Sequence, residues 1–232
     1  MLMNATSTLP EDAMVHTLSG VVGHGTFEAH ITITAKDDET REQFRSRCNE
    51  LGVKPVLIDL PEGVTPSQPM TSSYHRGTVE EAAKAAAELA RAVRAGGFTI
   101  TRVKLEAVAT NQGVPSDGEA ASMPRERYFE FHIKLLLSPD ADEFHLKDVC
   151  SRHSAHLSRN AFKTRSDGRT ERFVTMRVYH TGKQTAFRHL DALAAELTAV
   201  GFEIANIQRE YSLFDSHVGL DAGWLDVPAV PS

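Results

Sequence analysis

The stretch FEAHITIT at residues 27–34 alternates apolar and polar side chains, and a close counterpart, FEFHIKLL, occupies residues 129–136. Alternation with a period of two predicts a β-strand that buries one face. Both stretches place Glu, one residue and then His on the polar face of the strand. A repeated strand with the same polar residues suggests that the whole chain is built from two copies of one module.

Further landmarks support this interpretation, because they recur in the same order at offsets of 102 to 105 residues. The recurring pairs are Cys48 and Cys150, SYHRG (73–77) and VYHTG (178–182), and GGFTITRVKLE (96–106) and VGFEIANIQRE (200–210). Between the copies lies a segment rich in Gly, Pro, Ser and charged residues, which is typical of a linker.

Each copy has the predicted order βαββαβ. This order favours an α+β fold made by tandem duplication of a ferredoxin-like module, in which a four-stranded antiparallel sheet carries two helices on one face. The expected divisions are an N-terminal extension (1–26), a first module (27–108), a linker (109–127), a second module (128–213) and a C-terminal tail (214–232). The two open sheet faces could pack together, or the sheets could join at their edges.

Composition limits the possible functions. The 232 residues carry a net charge of −6, which argues against a nucleic acid partner. No apolar run is long enough to cross a membrane, and the N-terminus lacks the pattern of a secretory signal, so we expect a cytoplasmic protein without a membrane partner. The two cysteines exclude a disulfide framework. The sequence indicates no cofactor and leaves a homo-oligomer possible.

The polar faces of the strands converge on one candidate site. His30 and His132 are candidates for acid–base catalysis, with Glu28 and Glu130 as their partners, because an imidazole gains or loses a proton near neutral pH. If the fold is as predicted, the first, third and fourth strands of each copy bring further polar residues to the same end of the sheet. The candidate ligand-binding residues are Tyr74, His75, Arg76, Lys104, Glu106, Lys134, Arg159, Arg177, Tyr179 and His180.

Three functions remain open from these residues. The first is binding of a small anionic, possibly phosphorylated, ligand, favoured by helix N-termini after residues 77 and 182 and by a basic stretch at 152–177. The second is a divalent-metal-dependent enzyme, in which Glu28, His30 and Glu106 would be the ligands. The third is a binding or assembly module with no small-molecule site.

Two resemblances bear on these alternatives. The residues His30-Ile31-Thr32 resemble one half of the paired His-Xaa-Thr/Ser motif of the two-lobed 2H phosphoesterases, which implies phosphoester chemistry by paired histidines. The second copy departs from that motif because Lys134 replaces the hydroxyl residue. The βαββαβ order is also similar to that of RNA-recognition modules, but the outward residues of the first strand are not aromatic, so RNA binding is not expected.

Two further predictions concern residues outside the site. Cys48 and Cys150 lie on the apolar stripes of amphipathic helices and should be unreactive core residues. Trp224 is the only tryptophan and should dock the C-terminal tail onto the body of the protein.

Overall fold

The computed structural model describes residues 8–60, 63–160 and 166–224. These residues form an α+β fold with five α-helices and eight antiparallel strands. The strands are β1 (His24–Ile33), β2 (Lys54–Asp59), β3 (Ser67–Thr78), β4 (Ile100–Val108), β5 (Tyr128–Leu137), β6 (Ala155–Asn160), β7 (Thr170–Tyr179) and β8 (Glu203–Asp215). The helices are α1 (Pro10–Leu18), α2 (Asp38–Glu50), α3 (Val79–Ala95), α4 (Glu143–Arg152) and α5 (Lys183–Ala199). Within the described ranges, none of these helices has the length and apolar character needed to cross a membrane.

All eight strands belong to one sheet, which closes into a barrel with the order β1-β3-β2-β6-β7-β5-β8-β4. The expectation of two separate four-stranded sheets is therefore wrong. The halves join at both edges: Ile58 of β2 lies opposite Asn160 of β6, and Glu106 of β4 lies opposite Ser212 of β8. An isolated four-stranded sheet would leave unpaired N–H and C=O groups on its edge strands, and closure satisfies them.

The barrel separates an apolar outer layer from a polar interior. The apolar residues of β1 and β5 are buried in one continuous core with apolar residues of the helices, as the alternation predicts. Burying a side chain of this size stabilises the fold by roughly 1.5–3 kcal/mol. The other face of each strand points into the barrel, where closure has enclosed the polar residues. The apolar residues of β1 and β5 that are buried against the helices are Phe27, Ala29, Ile31, Ile33, Phe129, Phe131, Ile133 and Leu135.

Side chains of the protein itself cap the N-termini of α3 and α5. Thr78 and Glu81 form a reciprocal capping box at the start of α3, in which the Glu81 N–H donates to the Thr78 hydroxyl at 3.2 Å. Helix α5 begins after Gly182, which has no side chain to cap it. Asp117, from the segment between the two halves, accepts a hydrogen bond from the Thr185 N–H at 3.0 Å instead. The N-termini expected to bind an anion are thus occupied by the chain's own carboxylates.

The segments outside the two halves also pack onto the body. Helix α1 lies against α3, and its fully buried Glu11 accepts two hydrogen bonds from Arg94, each 3.1 Å long. At the other end of the chain, Trp224 is 7% exposed, packs against Leu60, and donates from Nε1 to the Leu157 carbonyl at 3.0 Å. The predicted docking of the tail by Trp224 is confirmed.

The end of β8 and the segment that follows it supply two carboxylates, Asp215 and Asp221, to a buried ion-pair network at the barrel wall. Arg102 donates from Nε to Asp215 Oδ1 at 2.8 Å, pairs with the same carboxylate through Nη2, and donates from Nη1 to Asp221 Oδ2 at 2.9 Å. Asp221 also accepts from Arg177 at 2.7 Å, so it bridges two arginines. A two-point contact between arginine and a carboxylate fixes both groups in position.

Replacing Asp215 by Asn should lower the free energy of unfolding at pH 7 by about 3 kcal/mol, because it leaves part of the Arg102 charge buried without its partner. Burial alone would raise the pKa of Asp215, but Arg102 lowers it well below the usual value. The stabilisation is therefore present at neutral pH and lost in acid, so the difference between variant and wild type should shrink as pH falls. Urea unfolding over a pH series measures both effects.

The matched control is Asp12→Asn, because Asp12 pairs with Arg91 at 2.9 Å on the surface, where the two side chains are 46% and 54% exposed. An exposed pair of this kind contributes less than about 1 kcal/mol. A loss of stability in Asp215→Asn no larger than that in Asp12→Asn would contradict a structural role for the Arg102 network.

Burial raises the pKa of both Cys48 and Cys150 to about 12. Since the thiolate is the reactive form, both residues in the folded protein should react with a thiol reagent at pH 8 on the order of 100-fold more slowly than in urea. Timed labelling followed by mass spectrometry measures the two rates. Fast labelling of either cysteine without unfolding would show that its helix does not pack as described.

Candidate functional site

A cavity of about 160 Å³ lies inside the barrel. One wall is apolar, and the other carries most of the charged residues that the strand alternation turns inward. Tyr74 and Lys54 are exposed and lie at its rim. The apolar wall is made of Val56, Ile58, Leu60, Met70, Phe173 and Trp224. The charged wall is made of Glu28, His30, Arg102, Lys104, Glu106, Glu130, His132, Arg177, Glu210 and Asp221.

The structure brings eight of the residues expected from the sequence to this cavity and leaves six away from it. The eight that line it are Glu28, His30, Tyr74, Lys104, Glu106, Glu130, His132 and Arg177. The six that do not are His75, Arg76, Lys134, Arg159, Tyr179 and His180.

The residues away from the cavity have clear physical reasons for their positions. His75 follows Tyr74 on β3, so alternation turns it to the opposite face, where it contacts the Ser73 hydroxyl at 3.0 Å and burial lowers its pKa. Arg76 and His180 are exposed on the surface.

Two further residues, Lys134 and Tyr179, have partners outside the cavity. Lys134 is paired with Glu171 at 2.9 Å. The Tyr179 ring packs on that of Tyr128, with centroids 5.0 Å apart.

The basic stretch does not form an electropositive wall, because each of its described arginines is paired with a carboxylate. The pairs are Arg152 with Asp148 and Glu196, Arg159 with Asp59, Arg169 with Asp167 and Glu203, Arg172 with Glu143, and Arg177 with Glu130 and Asp221. Lys163 and Arg165 lie outside the described residues.

The imidazole of His30 is held in one orientation by the backbone. Its Nδ1 lies 3.0 Å from the Thr71 carbonyl oxygen, which can only accept a hydrogen bond, so Nδ1 carries the proton. The Nε2 atom lies 3.6 Å from Glu28 Oε1 and 3.5 Å from Glu106 Oε2, so two carboxylates face this nitrogen in the cavity.

His132 repeats this arrangement in the second half of the chain. Its Nδ1 lies 3.0 Å from the Thr175 hydroxyl, and its Nε2 lies 3.1 Å from Glu130 Oε1 and 3.7 Å from Glu210 Oε2. The two histidines therefore have partners from equivalent strands. They differ in that Glu130 also pairs with Lys104 and Arg177, whereas no lysine or arginine of the described residues pairs with Glu28.

The cations of the charged wall are already neutralised. The Lys104 Nζ lies 2.7 Å from Glu106 Oε1 and 2.8 Å from Glu130 Oε1. Burial alone would lower the pKa of Lys104, but these two carboxylates raise it well above its usual value. Arg177 is held in the same way by Glu130 and Asp221. Neither cation is left to attract an anion.

The carboxyl groups differ among themselves. Burial alone would raise the pKa of Glu28, but His30 and hydrogen bonds such as that from the Ser72 hydroxyl, at 2.6 Å, lower it to about 2. Glu210 shows the opposite behaviour, because burial and the nearby carboxylates of Glu106 and Glu28 raise its pKa well above the usual value. The surroundings thus act in opposite directions on two carboxyl groups of the same wall.

Carboxyl groups outnumber lysines and arginines in this buried region. The carboxyl groups are Glu28, Glu106, Glu130, Glu210, Asp215 and Asp221, and the lysines and arginines are Arg102, Lys104 and Arg177. The imidazoles of His30 and His132 lie among these carboxyl groups. Glu106 Oε1 lies 2.7 Å from Lys104 Nζ, whereas Glu106 Oε2 and the Thr32 hydroxyl make no hydrogen bond to the described residues.

Within the described ranges, no set of three or more His, Cys, Asp or Glu residues is arranged to hold a metal ion. The metal ligands expected from the sequence, Glu28, His30 and Glu106, do converge on the cavity. They do not form such a set.

Sequence reasoning placed several residues of the buried region outside the site. The alternation puts Arg102 and Glu210 on the same face as Lys104 and Glu106, although neither was among the candidate site residues. Asp215 and Asp221 belong to the segment assigned to the tail, and no pattern in the repeat points to them.

Comparison with models of known protein families found no match to this sequence, and a search of curated proteins also found none.

Proposed function

We propose that the protein binds a small cationic molecule, an amine on a compact apolar body, inside the barrel. The observation that carries this proposal is the pair of buried carboxylates that face His30 Nε2, with Glu28 Oε1 at 3.6 Å and Glu106 Oε2 at 3.5 Å. Glu106 Oε2 accepts no hydrogen bond from the described residues, and a ligand that brings N–H donors and a positive charge would provide one.

The charge balance supports a cation over an anion. Each buried charge without compensation costs several kcal/mol. Six carboxyl groups face three lysines and arginines in the buried region, and an anionic ligand would add further negative charge there. A cation would reduce it, and an ammonium group offers three donors in a compact volume.

Cavity size and the apolar wall define the rest of the ligand. A cavity of about 160 Å³ is close in volume to an engineered protein cavity that holds benzene. Met70, Phe173 and Trp224 are apolar residues of the same lining. An amine carried on a ring or short hydrocarbon chain would therefore place its charge on one wall and its apolar body on the other.

The small anionic ligand expected from the sequence is the second candidate. One observation favours it: Arg177 Nη1, beside the Tyr179 hydroxyl, is buried and makes no hydrogen bond of normal geometry to the described residues. An anionic group there would gain a donor but would also meet Glu130 and Asp221. Catalysis by His30 and His132 stays a prediction under either ligand.

We also infer that the two halves arose by duplication of one ferredoxin-like module. The strand orders β2-β3-β1-β4 and β6-β7-β5-β8 match between the halves. The Nδ1 atom of each histidine contacts the adjacent strand, His30 at the Thr71 carbonyl of β3 and His132 at the Thr175 hydroxyl of β7. A duplicated module would explain why the two histidines face their carboxylates in the same way.

Three molecules of similar shape and different charge test the ligand class: benzylammonium, benzyl alcohol and benzoate. We expect benzylammonium alone to raise the melting temperature and to give a binding isotherm by calorimetry, because only it compensates the negative charge. Glu106→Gln should weaken its binding about 10- to 100-fold, the value of a hydrogen bond to a charged group. His30→Asn, which retains a donor for Thr71 but lacks Nε2, should also weaken it.

The matched control is Glu88→Gln, since Glu88 lies on the exposed face of α3 and the variant makes the same chemical change away from the cavity. It should bind benzylammonium as the wild type does. Binding of benzoate or inorganic phosphate in preference to benzylammonium would reject the cationic ligand and support the anionic one. Equal weakening by Glu88→Gln and Glu106→Gln would place the binding outside the barrel.

A further inference from the structure

The two halves of the barrel place carboxyl groups at corresponding positions. Glu28 of β1 lies opposite Glu106 of β4. In the second half, Glu130 of β5 lies opposite Glu210 of β8 in the same way. All four side chains are buried and line the cavity. The two pairs of carboxyl groups therefore correspond, and the halves differ in the residues that surround them.

In the second half, cations of the protein itself neutralise Glu130. The Lys104 Nζ lies 2.8 Å from Glu130 Oε1 and 2.7 Å from Glu106 Oε1. Arg177, which lies opposite Glu130 on the neighbouring strand β7, pairs with the same carboxylate. The buried charge of Glu130 is thus compensated by two cations, one of which is a primary ammonium group held between two carboxylates.

The two corresponding positions beside Glu28 hold neutral side chains. Lys104 lies opposite the histidine of β1 and Gln208 lies opposite the histidine of β5, so these two residues correspond. Tyr74 lies opposite Glu28 on β3, which is the position that Arg177 has on β7. The Gln208 amide donates to Glu28 Oε2 at 3.5 Å and to the Tyr74 hydroxyl at 3.3 Å. Within residues 8–60, 63–160 and 166–224, no lysine or arginine pairs with Glu28.

Two further carboxyl groups of the cavity show the effect of this missing cation. Glu106 is fully buried, and its Oε2 accepts no hydrogen bond from the described part of the chain. His30 Nε2 lies 3.5 Å from this oxygen and 3.6 Å from Glu28 Oε1, which is longer than a normal N–H···O hydrogen bond. Burial and the carboxylates of Glu106 and Glu28 raise the pKa of Glu210, as expected for a carboxyl group without the cation that its counterpart has.

We propose that the ammonium group of the ligand binds between Glu28 and Glu210, in the position that corresponds to the Lys104 ammonium group between Glu130 and Glu106. This inference rests on the proposed function and narrows the ligand to a primary amine, whose three N–H donors match those of a lysine. Tyr74 is 57% exposed and lies at the rim, so the cavity is open to solvent next to Glu28.

A lysine at position 208 tests this position, because it should supply the ammonium group that Glu28 lacks. Gln208→Lys should bind benzylammonium about 100-fold more weakly by calorimetry, since two buried cations would compete for one set of carboxylates. Gln208→Met, which has a similar length and no charge, should lose less affinity than Gln208→Lys. The matched control is Gln43→Lys, which adds the same charge on the exposed face of α2 and should bind as the wild type does.

Glu210→Gln tests the same position with a smaller change of shape and covers a failure of Gln208→Lys to fold. It should weaken benzylammonium binding about 10- to 100-fold, the value of a hydrogen bond to a charged group. Glu88→Gln is again its control. Benzyltrimethylammonium, which carries the same charge without N–H donors, should bind to the wild type at least about tenfold more weakly than benzylammonium.

The outcomes separate this inference from the proposed function. Wild-type affinity in folded Gln208→Lys or Glu210→Gln, or equal losses in Gln208→Lys and Gln208→Met, would overturn the position and leave a cationic site elsewhere in the barrel. Equal affinity for benzyltrimethylammonium would overturn the restriction to primary amines. A wild type that does not bind benzylammonium would overturn the proposed function and this inference together.

Discussion

Closure of the sheet into a barrel buries the polar faces of its strands, and the need to compensate the charges on those faces shapes the rest of the structure. Helices cover the outside of the barrel through an apolar layer, whereas the buried charges lie inside the barrel. Arg102, Lys104 and Arg177 are each held by two carboxyl groups. The attraction within such a pair exceeds the cost of removing both charges from water only when geometry and hydrogen bonding are good. The interior therefore acts as one coupled network rather than as separate contacts.

How much of this could be read from the sequence depended on whether the signal was local. Alternation along residues 27–34 and 129–136 correctly separates core residues from inward polar ones, because side chains alternate along any strand. Barrel closure depends on which edges meet, and pairing between β2 and β6 spans about half the chain, so no local pattern encodes it. Asp215 and Asp221 were missed for a related reason, since they act on Arg102 only after the chain has returned across the barrel.

The candidate site also combines features that local sequence patterns predict with features that depend on the tertiary structure. The sequence placed Glu28, His30 and Glu106 together because they lie on adjacent strands. It also favoured an anionic ligand, since arginines and helix N-termini are common anion sites. In the structure the described arginines of residues 152–177 are paired, and the helix N-termini are capped by side chains of the protein itself. The carboxyl groups that line the cavity are the reason that we propose a cationic ligand in place of the anionic one expected from the sequence.

The most direct test of this account is the protonation of the His30 ring, read from its side-chain nitrogen signals by NMR in the wild type and, for assignment, in His30→Asn. The account predicts a proton on Nδ1, held by the Thr71 carbonyl, and a change of the Nε2 signal when benzylammonium is added. A proton on Nε2 and none on Nδ1 would contradict the hydrogen bond from His30 to the Thr71 carbonyl, which sets the orientation of the ring in the site. An Nε2 signal that does not respond to bound benzylammonium would place the ligand elsewhere.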